Sequence, residues 1–223
     1  MSIAGSIEGW PTTVAEARLV QEQLRGRVVT TGTMAGPRRI AGIDAHYAPA
    51  LGLAWAAVTV LDGTSLELVE SAMAAVPLGF PYVPGFLSFR ETPAALKALG
   101  LLRERPDLLM VDGHGYAHPR RIGVATHIGL LADIPTVGVA KSRLVGTHDE
   151  PGPARGSAVP LHHQGERIGT VLRSRDGVRP LYVSVGHRLD LASAVSLVLA
   201  TLRRHRLPEP TRVADLLSRA HPS

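Results

Sequence analysis

The stretch Leu108-Leu109-Met110-Val111-Asp112-Gly113-His114-Gly115 decides how the chain folds. Four apolar residues in a row, set off by Pro106 on one side and by glycines on the other, are too few for a buried helix and read as a fully buried strand. The run ends on a carboxylate, which a core strand does not need. Beyond it, His118 opens a segment predicted to be helical as far as Ala132, and Thr136-Val137-Gly138-Val139-Ala140 is a second apolar strand, ending on Lys141. Strand, helix and strand in that order predict a parallel crossover, and therefore an α/β layer structure.

Upstream, Ile40-Ala41-Gly42-Ile43 is another short apolar strand and ends on Asp44, so the pattern at Asp112 recurs. Residues 53–61 and 66–69 are predicted strands joined through Asp62-Gly63-Thr64-Ser65, where Asp-Gly marks a hairpin turn, and the sheet begins antiparallel. Thr13-Val14-Ala15-Glu16 has capping-box spacing, and Ala17, Val20 and Leu24 follow at helical intervals, predicting a first helix as far as Arg25. A further helix is predicted from Thr92-Pro93, carrying Leu96, Leu99 and Leu102 and stopped near Pro106. Downstream, residues 147–164 are rich in Gly, Pro and His and read as a surface excursion; strands are predicted at 167–172 and 180–185. Asp190 caps an amphipathic helix with Leu191, Val195, Val198, Leu199 and Leu202 on one face and Arg203, Arg204 and Arg206 in its last turn, where they favour the helix dipole. Thr211 begins one more short helix. A length of 223 residues suits a single domain spanning 1–223.

Composition narrows the chemistry. Hydrophobic residues at 45% and charged residues at 19% are ordinary for a globular protein. The net charge of +5 makes a polyanion a natural partner, though only Lys97 and Lys141 are lysines and the arginine bias has a bland reading as residue usage. With no cysteine, thiolate metal sites and cysteine nucleophiles are excluded, so any metal is held by oxygen or imidazole. Residues Met1 to Trp10 show no basic and apolar leader pattern, and no run of eighteen apolar residues occurs, so a cytoplasmic protein off the membrane is expected.

The segment Pro81-Tyr82-Val83-Pro84-Gly85-Phe86-Leu87-Ser88-Phe89-Arg90-Glu91 concentrates residues that a folded core does not need. Pro81, Pro84 and Gly85 stiffen a bend that would hold the Tyr82 ring outward at little entropic cost, while Phe86, Leu87 and Phe89 anchor it to the body. Glu91 closes the segment at a helix mouth.

The acids are the strongest constellation: Asp44 and Asp112 at strand ends, Glu91, and Asp215 in the last helix. Open α/β sheets place ligand sites at the carboxyl ends of strands, where separated carboxylates converge. Converging carboxylates repel and are costly to desolvate, and hard divalent cations relieve both, which points to a magnesium site. Two such ions roughly 3.5–4 Å apart would suit a phosphoryl displacement. For a single strand-end aspartate an Asx turn is about as good an explanation; two together with Glu91 tilt the balance toward function. Lys141 is a candidate for holding a scissile phosphate or its attacking water, against a structural ion pair, and His118, followed by Pro119-Arg120-Arg121, suits a helix N-terminus that binds phosphate, against a satisfied structural histidine. His114 and His118 are spaced as a helical zinc pair, but the surrounding glycines and Pro119 disfavour that helix. Ser88 lacks a nucleophile-elbow pattern.

Pro81 to Glu91, Val111-Asp112-Gly113-His114-Gly115, His118-Pro119-Arg120-Arg121, Gly138-Val139-Ala140-Lys141-Ser142-Arg143-Leu144, Gly186-His187 and Leu207-Pro208-Glu209-Pro210-Thr211-Arg212 together resemble the signature blocks of the endonuclease V family, in the right order across most of the chain. The resemblance implies a ribonuclease-H-like α/β fold, a mixed central sheet flanked by helices on both faces. It implies that Asp44, Glu91 and Asp112 are metal-binding carboxylates, that Lys141 is the active-site lysine and that Tyr82 is a wedge entering the duplex beside the lesion. Asp215 falls where members carry an acid or a histidine. The implied reaction is Mg2+-dependent hydrolysis, with Mn2+ expected to substitute, of DNA containing deoxyinosine at the second phosphodiester bond 3′ of the lesion, leaving a 3′-hydroxyl and a 5′-phosphate. A flipped hypoxanthine is expected in a pocket walled by backbone near Pro84, Gly85, Leu87, Gly113 and His118. A monomer is expected, and inosine-containing RNA, a junction resolvase of the same fold and a non-catalytic inosine reader stand as alternatives.

Overall fold

The computed structural model describes residues 9–220, so the leader reading over residues 1–8 lies outside the described residues. In chain order the elements are α1 (Val14–Arg25), β1 (Arg39–Ala48), a 3-10 turn (Pro49–Leu51), β2 (Leu53–Asp62), β3 (Leu68–Pro77), α2 (Ser88–Leu99), β4 (Leu108–Val111), α3 (Val124–Ala132), β5 (Thr136–Ala140), β6 (Ala158–His163), β7 (Glu166–Leu172), β8 (Leu181–His187), α4 (Leu191–Ala200) and α5 (Glu209–Arg219). The strands form one mixed sheet in the order β3-β2-β1-β4-β5-β8-β7-β6. β1, β4 and β5 are parallel to one another, as the crossover predicted, and the flanking pairs are antiparallel.

Side chains alternate between the two sheet faces, and the alternation sorts the helices. Ala41 and Ile43 of β1 and Leu109 and Val111 of β4 pack with α2 and α3. Ile40, Leu108, Met110, Val137 and Val139 face the other way and pack with Ala194, Leu197 and Val198 of α4. Helices therefore cover both faces, in the ribonuclease-H-like arrangement. Ala17 of α1 packs with Phe80, Phe86 and Phe89, which pins the base of the 81–87 bend.

Several element boundaries differ from expectation, each for a local reason. α2 starts at Ser88 and carries Pro93 in its interior instead of at its first position. Pro93 has no N–H to give to the Phe89 carbonyl, and the Trp10 indole N–H donates to that oxygen instead, at 2.8 Å. α3 starts at Val124 instead of His118, because Arg121 adopts φ +64° and its buried guanidinium is held by Glu166, His118 and His163. α4 ends at Ala200, so Arg203, Arg204 and Arg206 lie beyond it; Arg206 donates to the carbonyls of Lys141, Arg179 and Pro180. β3 runs on to Pro77, well past the predicted 66–69, and β6 emerges from the predicted surface excursion. α5 begins at Glu209, with Pro210 in its first turn.

Candidate active site

Asp44 does not end its strand as expected: β1 continues through it to Ala48, paired with β2. The same alternation carries Gly42 and Asp44 on β1, Asp112 after β4 and Lys141 after β5 to the face of α4 and α5. Ile43 pairs with Val111, so the next residues, Asp44 and Asp112, stand side by side. α5 lies directly on this face because position 42 is glycine: a Cβ there would sit 1.8 Å from the Pro210 carbonyl oxygen. That approach delivers Asp215, and ligand oxygens of Asp44, Asp112 and Asp215 all fall within 4.8 Å of one another. Glu91 comes from the first turn of α2, in the opposite layer. It lies outside this three-carboxylate group, yet it is buried and feels the charges of Asp44 and Asp112.

Charge within the site is unbalanced. Lys141 Nζ lies 2.5 Å from Asp112 Oδ2 and 2.9 Å from Asp215 Oδ1. Burial alone would lower the Lys141 pKa, but the two carboxylates outweigh it and hold the ammonium above its ordinary range. Burial pushes Asp112 up to about 6 even though Lys141 pulls the other way. Burial, then the Asp44 and Asp112 charges, raises the Glu91 carboxyl well above its usual value. Burial also raises Asp215, but Lys141 and Arg219 outweigh it and leave that carboxyl low. Lys141 and Arg219 offset only part of this convergence of carboxylates, and the clustered oxygens form a donor set that suits a hard divalent cation.

Beside the carboxylates is a cavity of about 280 Å³ whose wall includes Pro84, Gly85, Leu87, Gly113 and His118, together with Tyr82, the residue expected as the wedge. Tyr82 is 65% exposed, its ring 5.9 Å from the Arg90 guanidinium, which also stacks at 4.3 Å on Tyr47. The Gly85 carbonyl accepts hydrogen bonds from Gln21 Nε2, His118 Nε2 and Arg120 Nη2, which fixes the bend. The bond to Gly85 requires the His118 proton on Nε2, leaving Nδ1 to accept from the Arg120 amide. Burial, helped by Arg120, depresses this imidazole to about 3, so it is neutral. His118 is therefore not at a helix N-terminus; it is a buried strut of the cavity wall. Gly113 adopts φ +156°, and a Cβ there would meet Val124 Cγ1 at 2.3 Å.

Sequence reasoning passed over other residues here. Ser142, Arg143 and Leu144 also line the cavity, although nothing in the motif that contains them marks a role for them. Ser218 donates to Asp44 Oδ2, with His46 Nδ1 3.2 Å from the same oxygen; no spacing or pattern marked either.

A family model for Endonuclease V matches residues 22–216. An endonuclease V from Roseiflexus sp. (strain RS-1) is 53% identical over 209 residues, covering 94% of this chain and 93% of that protein. The crystal structure of endonuclease V from Streptomyces avermitilis superposes with a TM-score of 0.91 at 46% identity, covering 95% of this chain and 94% of that one. Endonuclease V from Ciona intestinalis, in complex with a 24mer DNA containing an inosine followed by a ribo-adenosine, superposes with a TM-score of 0.80 at 27% identity, covering 92% and 96%. By its matched segments, its relatives and its fold, the chain belongs to the endonuclease V family.

Proposed function

We propose that this chain is a DNA repair endonuclease that recognises deoxyinosine and hydrolyses the second phosphodiester bond on its 3′ side, leaving a 3′-hydroxyl and a 5′-phosphate. The observation that carries the proposal is the adjacency of Asp112 and Gly113: one loop contributes a carboxylate to the acidic cluster and a wall residue to the cavity. A base held in the cavity and a phosphate held at the cluster are thereby kept at a fixed separation along one strand. The complex of the Ciona relative with inosine-containing DNA supports the substrate class.

Exposed on its stiffened bend, Tyr82 fills the gap left when the lesion leaves the duplex; unpairing is cheapest at a mismatched base. Glycine backbone at Gly85 and Gly113 lets main-chain groups approach the edge of the flipped hypoxanthine. Asp44, Asp112, Glu91 and Asp215 would hold Mg2+, with Mn2+ as a substitute, and the ion would supply Lewis-acid neutralisation of charge at the phosphoryl oxygens. Lys141, held between Asp112 and Asp215, donates hydrogen bonds toward the scissile phosphate. The site draws its residues from β1, α2, the loops after β4 and β5, and α5 of one chain, which supports a monomer with a single catalytic domain.

The test is a nicking assay on end-labelled duplexes carrying one deoxyinosine, run with Mg2+ and with EDTA, beside an undamaged duplex and a four-way junction. A single Mg2+-dependent cut one nucleotide beyond the lesion is expected, lost in Asp112→Ala with binding retained. Tyr82→Ala is expected to lose lesion binding. Cutting of the junction but not of inosine would discard the substrate. The ribo-adenosine in the Ciona ligand makes a single-stranded inosine RNA the natural further arm.

A further inference from the structure

Helix α5 brings a second polar group to the carboxylates besides Asp215. Ser218 lies three residues further along, on the same side of the helix, and is fully buried. Trp55 on β2 donates its indole N–H to the Ser218 carbonyl at 2.8 Å, so the main chain at this position is tied to the sheet independently of the hydroxyl. The hydroxyl donates to Asp44 Oδ2. The Asp215 carbonyl, 3.0 Å away, competes for the same proton, but a hydrogen bond to a carboxylate is the stronger of the two. His46 Nδ1 approaches the same carboxylate oxygen at 3.2 Å. The last torsion of an aspartate is soft, and holding one oxygen fixes the direction in which the other is presented.

We infer that Ser218 is a positioning residue that sets the orientation in which Asp44 is offered to a divalent cation. The inference rests on the reading of Asp44 as a metal ligand. Groups that orient ligating carboxylates typically contribute 10–100-fold to metal affinity, as an order of magnitude. The role is distinct from holding the helix in place, since Trp55 and the close approach at Gly42 already do that.

The experiment titrates Mn2+ into EDTA-stripped wild type, Ser218→Ala, Ser218→Cys and Asp44→Asn, following the free ion by electron paramagnetic resonance. Ser218→Ala is expected to bind Mn2+ about 10–100-fold more weakly while the stripped protein keeps the wild-type circular dichroism spectrum. Ser218→Cys, close in volume and a weak donor, is expected to fall between Ser and Ala, and it carries the same comparison if the alanine variant does not fold. In the nicking assay Ser218→Ala should require correspondingly more Mg2+ yet recover kcat at saturation; a purely structural residue would lower kcat at every Mg2+ concentration. Wild-type Mn2+ affinity in the Ser218 variants, with Asp44→Asn weakened, would overturn the inference and leave Asp44 as a ligand. Wild-type affinity in Asp44→Asn as well would overturn the reading of Asp44 itself.

Discussion

At the scale of single residues, the acids and Gly113 make the sharpest demands. Asp112, raised to about 6 by burial despite Lys141, holds its proton more tightly in the fold than in an unfolded chain. A cation must displace that proton below about pH 6, so divalent affinity should fall by up to about tenfold for each pH unit below it. Mg2+ added to the stripped protein is therefore expected to raise Tm at pH 7.5 and to have little effect at pH 5; equal shifts at both would contradict a carboxylate-held ion. Gly113→Ala places a methyl 2.3 Å from Val124 Cγ1 on a backbone that disfavours side chains. Val124 is β-branched at the start of α3 and has few rotamers to escape into. Cleavage of inosine DNA should fall by an order of magnitude or more while Mn2+ binding persists, and a variant that cuts normally would remove Gly113 from the base pocket. Asp44, Asp112 and Lys141 could be picked out from sequence because a charge at the end of an apolar run stands out. Ser218 could not, because a serine within an amphipathic helix has no such contrast and its partner lies 174 residues away.

At the scale of elements, the site depends on how closely α5 lies on β1. Gly42→Ala would drive a methyl into the backbone carbonyl of Pro210, which, unlike a side chain, cannot rotate away. The helix must lift, carrying Asp215 and Ser218 with it. Overpacking of this kind costs about 1–3 kcal/mol, so a lowered urea midpoint is expected together with weakened Mn2+ binding. Unaltered metal affinity would show that α5 does not position the cluster. α2 illustrates why its start was misread from sequence. Thr-Pro is a strong local helix-start signal, but it was overridden because Trp10, 79 residues earlier, satisfies the carbonyl that Pro93 leaves free. The starts of α1 and β4 were legible, since a capping box and a proline-bounded apolar run carry their signal within a few residues.

At the scale of the whole molecule, burial of neutral histidines ties stability to pH. His127 is buried, hydrogen-bonded through Nδ1 to Ser88 and stacked on Trp10, and burial lowers it to about 4. In the unfolded chain it titrates near 6.5, so between those values the fold binds fewer protons. The sign follows: its contribution is fully present above pH 6.5 and is lost as pH falls toward 4, at about 1.4 kcal/mol per unit. His127→Phe should reduce the loss of unfolding free energy between pH 7.5 and pH 5 by roughly 2 kcal/mol, measured by urea denaturation of the metal-stripped protein; an identical loss would mean that His127 is not what titrates. From its residues alone the chain declared its layer class, its parallel centre, the antiparallel start of its sheet and most of the charged residues of its site, because period, proline, glycine and misplaced charge are local signals. Tertiary structure alone decided that Asp44 sits within a strand, that His118 is a buried strut, that Glu91 lies in the opposite layer, outside the three-carboxylate group yet within reach of its charge, and that Ser218 holds Asp44. Each of those depends on contacts between segments far apart in the chain, for which short-range pattern carries no information.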